Sequence, residues 1–388
     1  MQNFSRFSKI RIHSKIEIME STVAKINLEH FRSNLKFIRS KMALGAKMCV
    51  AVKADAYGHG AVECAKVAVA SGADFLAIAR VSEGRELREA GIKSNLLLLS
   101  LCLPEEMDEL VSLNITPLVF DEAYIELVSN AAKRAKKDGY PVHLAVDTGM
   151  GRIGCLPQEA GEIAQKIVSC GLHFGGICTH FSVSDSKKEK DESYTRLQFE
   201  RFLFAIEEVR SKGIEPGIRH CAASAATLLR PEMHLDMCRP GIICYGYYPG
   251  DLSGSELKPV MSLVTRVSSI RVLPAGSCVS YGRTWKAEKD TRIAILPVGY
   301  ADGLLRRHAD SSVLILGKTY PIRGRICMDQ CMIEIGDDKI ERWSEAVIFG
   351  WENGGQSAQM LADRAHTISY EITCAIGKRV PRIFVDGK

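Results

Sequence analysis

MCVAVKA, Met48–Ala54, is the stretch on which the fold turns. Apolar residues follow one another without a polar partner until Lys53, so the run is continuous rather than alternating, as a strand buried on both faces requires. Seven more runs of this kind follow: FLAIA from Phe75, NLLLLSL from Asn95, ITPLVF from Ile115, VHLAVD from Val142, FGGICTHF from Phe174, GIRHCAAS from Gly217 and MCRPGIICYG from Met237. Segments with helical signals lie between them. PEEMDELVSL opens on Pro104 with two acids in its first turn, and DEAYIELVSNAAKRAKKDG runs from acids to a basic end and stops at Gly139. YTRLQFERFLFAIEEVRSKG places Leu197, Phe202, Ile206 and Val209 near one face. Continuous strands alternating with amphipathic helices predict a parallel sheet covered by helices, and eight such units fit a (β/α)8 TIM barrel better than an open, doubly wound sheet.

After Tyr248 the texture changes. PGDLSGSELKP is a turn-rich linker, and the runs beyond it (VMSLVTRVSSIRVLP, TRIAILPVG, SSVLILG, CMIEIG, EAVIFG) follow one another without intervening helices. The expected organisation is α/β: a disordered extension over 1–18, an N-terminal (β/α)8 barrel over 19–255, and a C-terminal mostly-β domain over 256–388 with one helical piece near Ala358–Ala365. Residues 1–16 carry Arg6, Lys9, Arg11 and Lys15 and no acid, but lack the apolar run of a secretory signal. An organelle-type transit peptide and a start at Met19 are the alternatives there.

Composition excludes several classes. Of 388 residues, 51 are basic and 46 acidic, a net charge of +5, and the basic runs Lys133–Lys137 and Lys187–Lys190 read as solvated surface; no nucleic-acid partner is expected. The longest apolar stretch, Leu96–Leu103, is too short to cross a bilayer, so no membrane association is expected. Thirteen cysteines without C-x-x-C spacing read as reduced thiols of a cytoplasmic protein, with no metal site.

Unusual polar residues stand at or just after the ends of the apolar runs: Lys53, Arg80, Asp147, Arg152, His180, Ser224 and Arg239 with Gly241. In a barrel these ends share one rim, where barrel enzymes place their chemistry. Each has a plain structural alternative. Lys53 is either a lysine snorkelling at a strand end or an amine desolvated enough to form a Schiff base or take a proton. DTGMGRIG, Asp147–Gly154, is either a strand-to-helix turn or a loop offering the Arg152 fork to an anion. A lone histidine such as His180 is usually a satisfied core residue. Ser224 could cap a helix whose N–H groups receive an anion, as could the backbone at Gly241 and Ile242.

Taken together, VKADAYGHG, DTGMGRIG, THF, HCAASAA, RPGIICYG, SYGRTW, VGYADG, GRICMDQ and SYEITCAIGKRVPR resemble, in order over about residues 20–388, the alanine racemases among barrel-type pyridoxal-phosphate enzymes. The resemblance implies pyridoxal 5'-phosphate as cofactor, Lys53 as its Schiff-base lysine, and a phosphate cradle of Tyr57, Ser224, Gly241, Ile242 and Tyr370. It implies Arg239 at the pyridine nitrogen with His220 behind it, and Arg152 at the phenolate near the substrate carboxylate. Tyr281 resembles the second base, supported by His180. Tyr300, Met328 and Asp329 would line the substrate entrance and, with Tyr281, reach across a homodimer interface.

The implied reaction is two-base racemisation of L- and D-alanine by Lys53 and Tyr281, supplying D-alanine for peptidoglycan. A broader serine/alanine racemase is the alternative. Tyrosine holds its proton to pH of about 10, so Tyr281 would need positive charge nearby. The sequence departs from the family at Ala145, where a lysine is common, and at Ala223 and Asp55, where asparagine is usual. A related decarboxylase would place an acid at the pyridine nitrogen, against RPGIICYG. A non-catalytic carrier would lack the second domain, and a periplasmic racemase would carry an export signal.

Overall fold

The computed structural model describes residues 20–352 and 354–386. The expected extension over 1–18 lies outside the described residues.

The eight apolar runs form eight strands of one sheet, ordered Ile218–His220, His173–Cys178, Pro141–Ala145, Ile115–Val119, Asn95–Leu98, Phe75–Ile78, Lys47–Ala51 and Met237–Cys238. Every pairing in it is parallel. The two end strands meet through Asp236 N–H donating to Arg219 O (3.1 Å), Arg239 N–H donating to Ala222 O (2.8 Å), and a parallel bridge between Ala223 and Arg239. The sheet is therefore a nearly closed barrel. Its strands are continuous in sequence because both faces are covered: all four residues of Phe75–Ile78 are buried, as are Leu96–Leu98.

The helices between strands begin and end where local signals place them. Asp121 caps Glu122–Arg134, its carboxylate accepting Tyr124 N–H at 2.8 Å. In Glu189–Ser211 the buried face is Thr195, Gln198, Phe202, Ala205, Ile206 and Val209. Leu197, expected inward, is 38% exposed, and polar Gln198 takes the inward position because its amide bonds Thr148 Oγ1, His180 O and Ser182 N–H there.

Two compact units divide the chain, residues 31–258 and the described residues 20–30 with those from Pro259 on. Residues 19–30 were expected to open the barrel. Instead Val23–Asn27 pairs antiparallel with Met261–Arg266 and parallel with Arg382–Val385, within a sheet ordered Lys318–Pro321, Ser312–Ile315, Glu345–Phe349, Met261–Arg266, Val23–Asn27, Arg382–Val385. The reason lies in its pattern: Ala24 and Ile26 are fully buried while Val23 and Lys25 are half-buried, the alternation of a strand with one covered face. A second sheet joins Ser269–Leu273, Thr291–Leu296 and Cys331–Glu334. The expected helical piece is Ala358–Arg364, and a second helix, Ser369–Cys374, follows it. No helix among the described residues is long and apolar enough to cross a membrane.

Candidate active site

Lys53 follows the strand Lys47–Ala51 and opens a helical turn, Lys53–Gly58, of left-handed sense: Ala54, Asp55, Ala56 and Tyr57 have φ of 53, 53, 53 and 56°. Left-handed geometry costs a non-glycine residue roughly 1–2 kcal/mol, so neighbours must impose it. Ala56 N–H donates to Val52 O (2.8 Å), Gly60 N–H to Asp55 O (2.9 Å), and Ala54 N–H to Glu83 Oε1 (2.7 Å). Asp55 Oδ1 accepts Ala61 N–H at 2.7 Å at the start of helix Ala61–Ala70, a task an asparagine carbonyl would perform equally. The Tyr57 ring packs 5.0 Å from the fully buried Tyr245 ring, and Tyr245 Oη donates to Ala51 O at 2.7 Å.

Tyr57 points along the same rim to the segment that follows Met237–Cys238, the strand beside Lys47–Ala51. A Cβ built on Gly241 would stand 2.7 Å from Tyr57 Oη and 3.6 Å from Ser224 Oγ, so glycine is required there for space and not for its φ of −121°. Ser224 is the first residue of helix Ser224–Leu229 and not its cap; Ala223 holds the cap position and makes no side-chain cap bond. The Ser224 hydroxyl instead accepts Gly241 N–H at 2.9 Å. Two hydroxyls and the backbone entering the turn Ile242–Tyr245, whose Ile242 is buried, thus line one small cradle suited to an anion.

Arg239, 6% exposed, is locked by both terminal nitrogens. Nη1 donates to His220 Nδ1 (2.6 Å) and His220 O (2.7 Å), and Nη2 to Thr179 O (2.7 Å), with His180 Nδ1 at 3.5 Å. His220 Nε2 in turn lies 2.8 Å from Nδ1 of His143, a buried residue inside the strand Pro141–Ala145 that no motif marks. Burial, with Arg239's charge second, drives His143 down to about 3 and His220 well below the usual imidazole range. His180 is lowered to about 3, first by burial, then by the charges of Arg239, Arg152 and Lys53, so all three cations bear on one imidazole.

Arg152 is exposed on the rim. Its loop is folded by Asp147, whose Oδ1 accepts the N–H groups of Gly149, Met150 and Gly151 at 2.9, 2.9 and 3.1 Å. Gln198 ties that loop to the His180 segment: its amide nitrogen donates to Thr148 Oγ1 (3.3 Å) and His180 O (3.2 Å), while its oxygen accepts Ser182 N–H (3.0 Å). Ala145 is buried at the end of its strand.

The second unit collects the remaining candidates. Tyr281 is 70% exposed, flanked by left-handed Ser280 and Gly282. Ser280 Oγ donates to Arg325 O (2.5 Å) and lies 3.5 Å from Cys327 Sγ. Tyr300 N–H donates to Cys327 O (3.1 Å) and Ala301 N–H to Met328 O (3.0 Å), so the segments bearing Tyr281, Tyr300 and Met328 adjoin. Arg379 braces them, pairing with buried Asp302 (2.9 Å) and with exposed Asp329 (2.9 Å). Tyr370 stands in the short helix Ser369–Cys374.

A parallel eight-stranded barrel with a lysine, an anion cradle and a braced arginine at one rim defines a barrel enzyme of the α/β class. The profile for "Alanine racemase, N-terminal domain" matches residues 26–249, and that for "Alanine racemase, C-terminal domain" matches 260–384. The alanine racemase of Treponema denticola is 47% identical over 376 residues, 95% of this chain and 99% of that protein. The structure of alanine racemase from Clostridium difficile 630 superposes with a TM-score of 0.90 at 35% identity, over 96% of this chain and 97% of that one. That from Bacillus anthracis with bound L-Ala-P gives 0.88 at 30%, over 96% and 97%. The chain belongs to the alanine racemase family and is an isomerase, an amino-acid racemase.

Proposed function

We propose that the chain interconverts L- and D-alanine with pyridoxal 5'-phosphate held at the barrel rim. The observation that carries this is the cradle at Gly241, where a Cβ would press on Tyr57 Oη: it brings two hydroxyls and a tight backbone turn together for a phosphate, and a side chain at 241 would have to displace Tyr57. Tyr57, Ser224, Gly241 and Ile242 would hold that phosphate, and the family resemblance adds Tyr370. The cofactor, when bound, supplies an electron sink that acidifies the α-hydrogen of an attached amino acid.

Arg239 has both terminal nitrogens committed to His220 and Thr179, which leaves its Nε–H as the donor for a ring nitrogen. A guanidinium does not surrender its proton, so Arg239 keeps that nitrogen unprotonated, restrains the sink and favours racemisation over transamination. Lys53 moves the proton on one face of the α-carbon and Tyr281 on the other, with Lys53 serving the D-isomer and Tyr281 the L-isomer. Arg152, at the rim, orients the carboxylate and the cofactor's phenolate oxygen, and His180 supports the second base.

The exposed Tyr281, Tyr300 and Met328 form the kind of aromatic and thioether surface that a subunit interface covers. We infer a homodimer in which the second unit of each subunit brings these residues, with Asp329, to the other's barrel. The thirteen cysteines stand as thiols, eight of them buried, which supports a cytoplasmic enzyme, and D-alanine for peptidoglycan is the product it would supply.

The test is purified protein loaded with pyridoxal phosphate and offered each enantiomer of alanine and of serine, with chiral analysis of the products. Both alanine enantiomers should approach the same racemic mixture. Loaded protein that leaves each alanine enantiomer unchanged would refute the proposal, and serine turnover at a comparable rate would make the enzyme the broader racemase.

A further inference from the structure

We propose that Glu83 is the positioning residue that holds the left-handed turn presenting Lys53, clamping it to the end of the neighbouring barrel strand through one carboxylate. The significance for Lys53 rests on the function proposed above.

Glu83 is the third residue of helix Val81–Glu89, and its Oε2 does what a glutamate there commonly does, accepting the N–H of Arg80 just before the helix at 3.1 Å. The same oxygen accepts Ala79 N–H at 2.7 Å, just beyond the strand Phe75–Ile78. Capping asks nothing more of the side chain. Oε1 nevertheless accepts Ala54 N–H at 2.7 Å, from the residue after Lys53 and 29 positions earlier in the chain.

That N–H matters because of where it falls. The first N–H groups of a helical turn have no partner within it, whatever its hand. Ala56 N–H finds Val52 O, whereas Ala54 N–H is met by the Glu83 side chain. Alanine gains nothing from left-handed geometry, so the anchor for Ala54 comes from outside the turn. Only an ionised carboxylate suits this position, since it accepts at both oxygens and presents no hydrogen to either group of N–H donors.

The discriminating variant is Glu83→Gln, which keeps size and helical preference but turns an NH2 toward one of the two donor sets. Glu83→Ala removes both bonds, and Gln keeps the test usable should the alanine variant fold poorly. In ligand-free protein, hydrogen exchange at the Ala54 amide should accelerate about tenfold or more in Glu83→Gln, with Leu96–Leu98 unchanged. The rate at which added pyridoxal phosphate is captured on Lys53, fixed by borohydride and located by mass spectrometry, should fall about tenfold, and kcat should fall with KM within about twofold. Ala54 exchange within about twofold of wild type overturns the proposal, and so does faster exchange with capture and kcat unchanged. Wild-type protein that captured no pyridoxal phosphate on Lys53 would instead count against the proposed function, while the exchange result would still decide whether Glu83 holds the turn.

Discussion

His143 Nδ1 stands 2.8 Å from His220 Nε2, and this contact settles the protonation of both rings. Arg239 Nη1, 2.6 Å from His220 Nδ1, has only hydrogens to offer, so Nδ1 accepts and the single proton of neutral His220 sits on Nε2. His143 Nδ1 accepts that proton's bond, which puts the His143 proton on its own Nε2. A guanidinium and two neutral imidazoles thus form one directed chain, and the orientation of Arg239 depends on a residue two steps away.

Acid should break this chain. His143 is held at about 3, below its ordinary 6.5, so between those values the unfolded chain binds more protons than the folded one. Its contribution to stability is complete above about pH 6.5 and is lost as pH falls toward about 3. In urea unfolding between about pH 6 and 4, His143→Gln should flatten the dependence of stability on pH by up to about 1.4 kcal/mol per pH unit. An unaltered slope would mean that His143 does not titrate as a buried neutral ring.

Gly241→Ala should weaken pyridoxal phosphate binding by about tenfold or more, because its Cβ would meet Tyr57 Oη at 2.7 Å. The backbone there has negative φ, so no conformational strain adds to that clash, and the ligand-free protein should lose no more than about 1–3 kcal/mol to overpacking. Titration by cofactor absorbance and a melting curve separate the two effects, and equal affinity would remove Gly241 from the cradle.

Gln198→Leu should destabilise the protein by about 1–3 kcal/mol, since Gln198 is fully buried and the groups it bonds at Thr148, Ser182 and His180 lose their partner. The same variant loosens the Arg152 loop, so KM for alanine should rise more than kcat falls. Denaturant midpoints and steady-state kinetics test both parts.

Tyr281→Phe should leave stability unchanged, because the side chain is 70% exposed, yet slow hydrogen abstraction from L-alanine by roughly 10²-fold or more, and from D-alanine far less. Solvent deuterium incorporation into each enantiomer is the measurement. Equal losses would contradict a base on each face.

Lys53→Ala and Tyr281→Ala, each inactive alone, should complement when unfolded and refolded together. Random pairing makes about half of the dimers mixed, and one site in each mixed dimer has both bases, so about a quarter of all sites should recover. No recovery with mixed dimers confirmed by differential tags would place both bases in one chain.

The rim positions of several polar residues are legible in the sequence, and the residues show why. Lys53, Ser224, Arg239 and Gly241 end or follow apolar runs, and the topology of a parallel barrel brings such ends to one rim whatever the loops do. Periodicity around Leu197 allows either it or Gln198 inward, and only the carbonyl of His180 and the amide of Ser182 decide between them. Ser224 carried the signal of a helix cap, but its hydroxyl is turned to Gly241, a partner 17 residues away that no local pattern names.

Local pattern carries the alternation of buried strands and covering helices, the change after the linker to strands without helices between them, and the rim positions of the polar residues, because periodicity, β-branching and caps act over a few neighbouring residues. Tertiary structure alone decided the left-handed turn after Lys53, the reach of Glu83 to Ala54, the pairing of His143 with His220 across 77 residues, and the place of Val23–Asn27 beside Met261–Arg266. Each of these trades a local preference against a bond to a distant segment, and the balance of such a trade exists only once the chain has brought the two segments together.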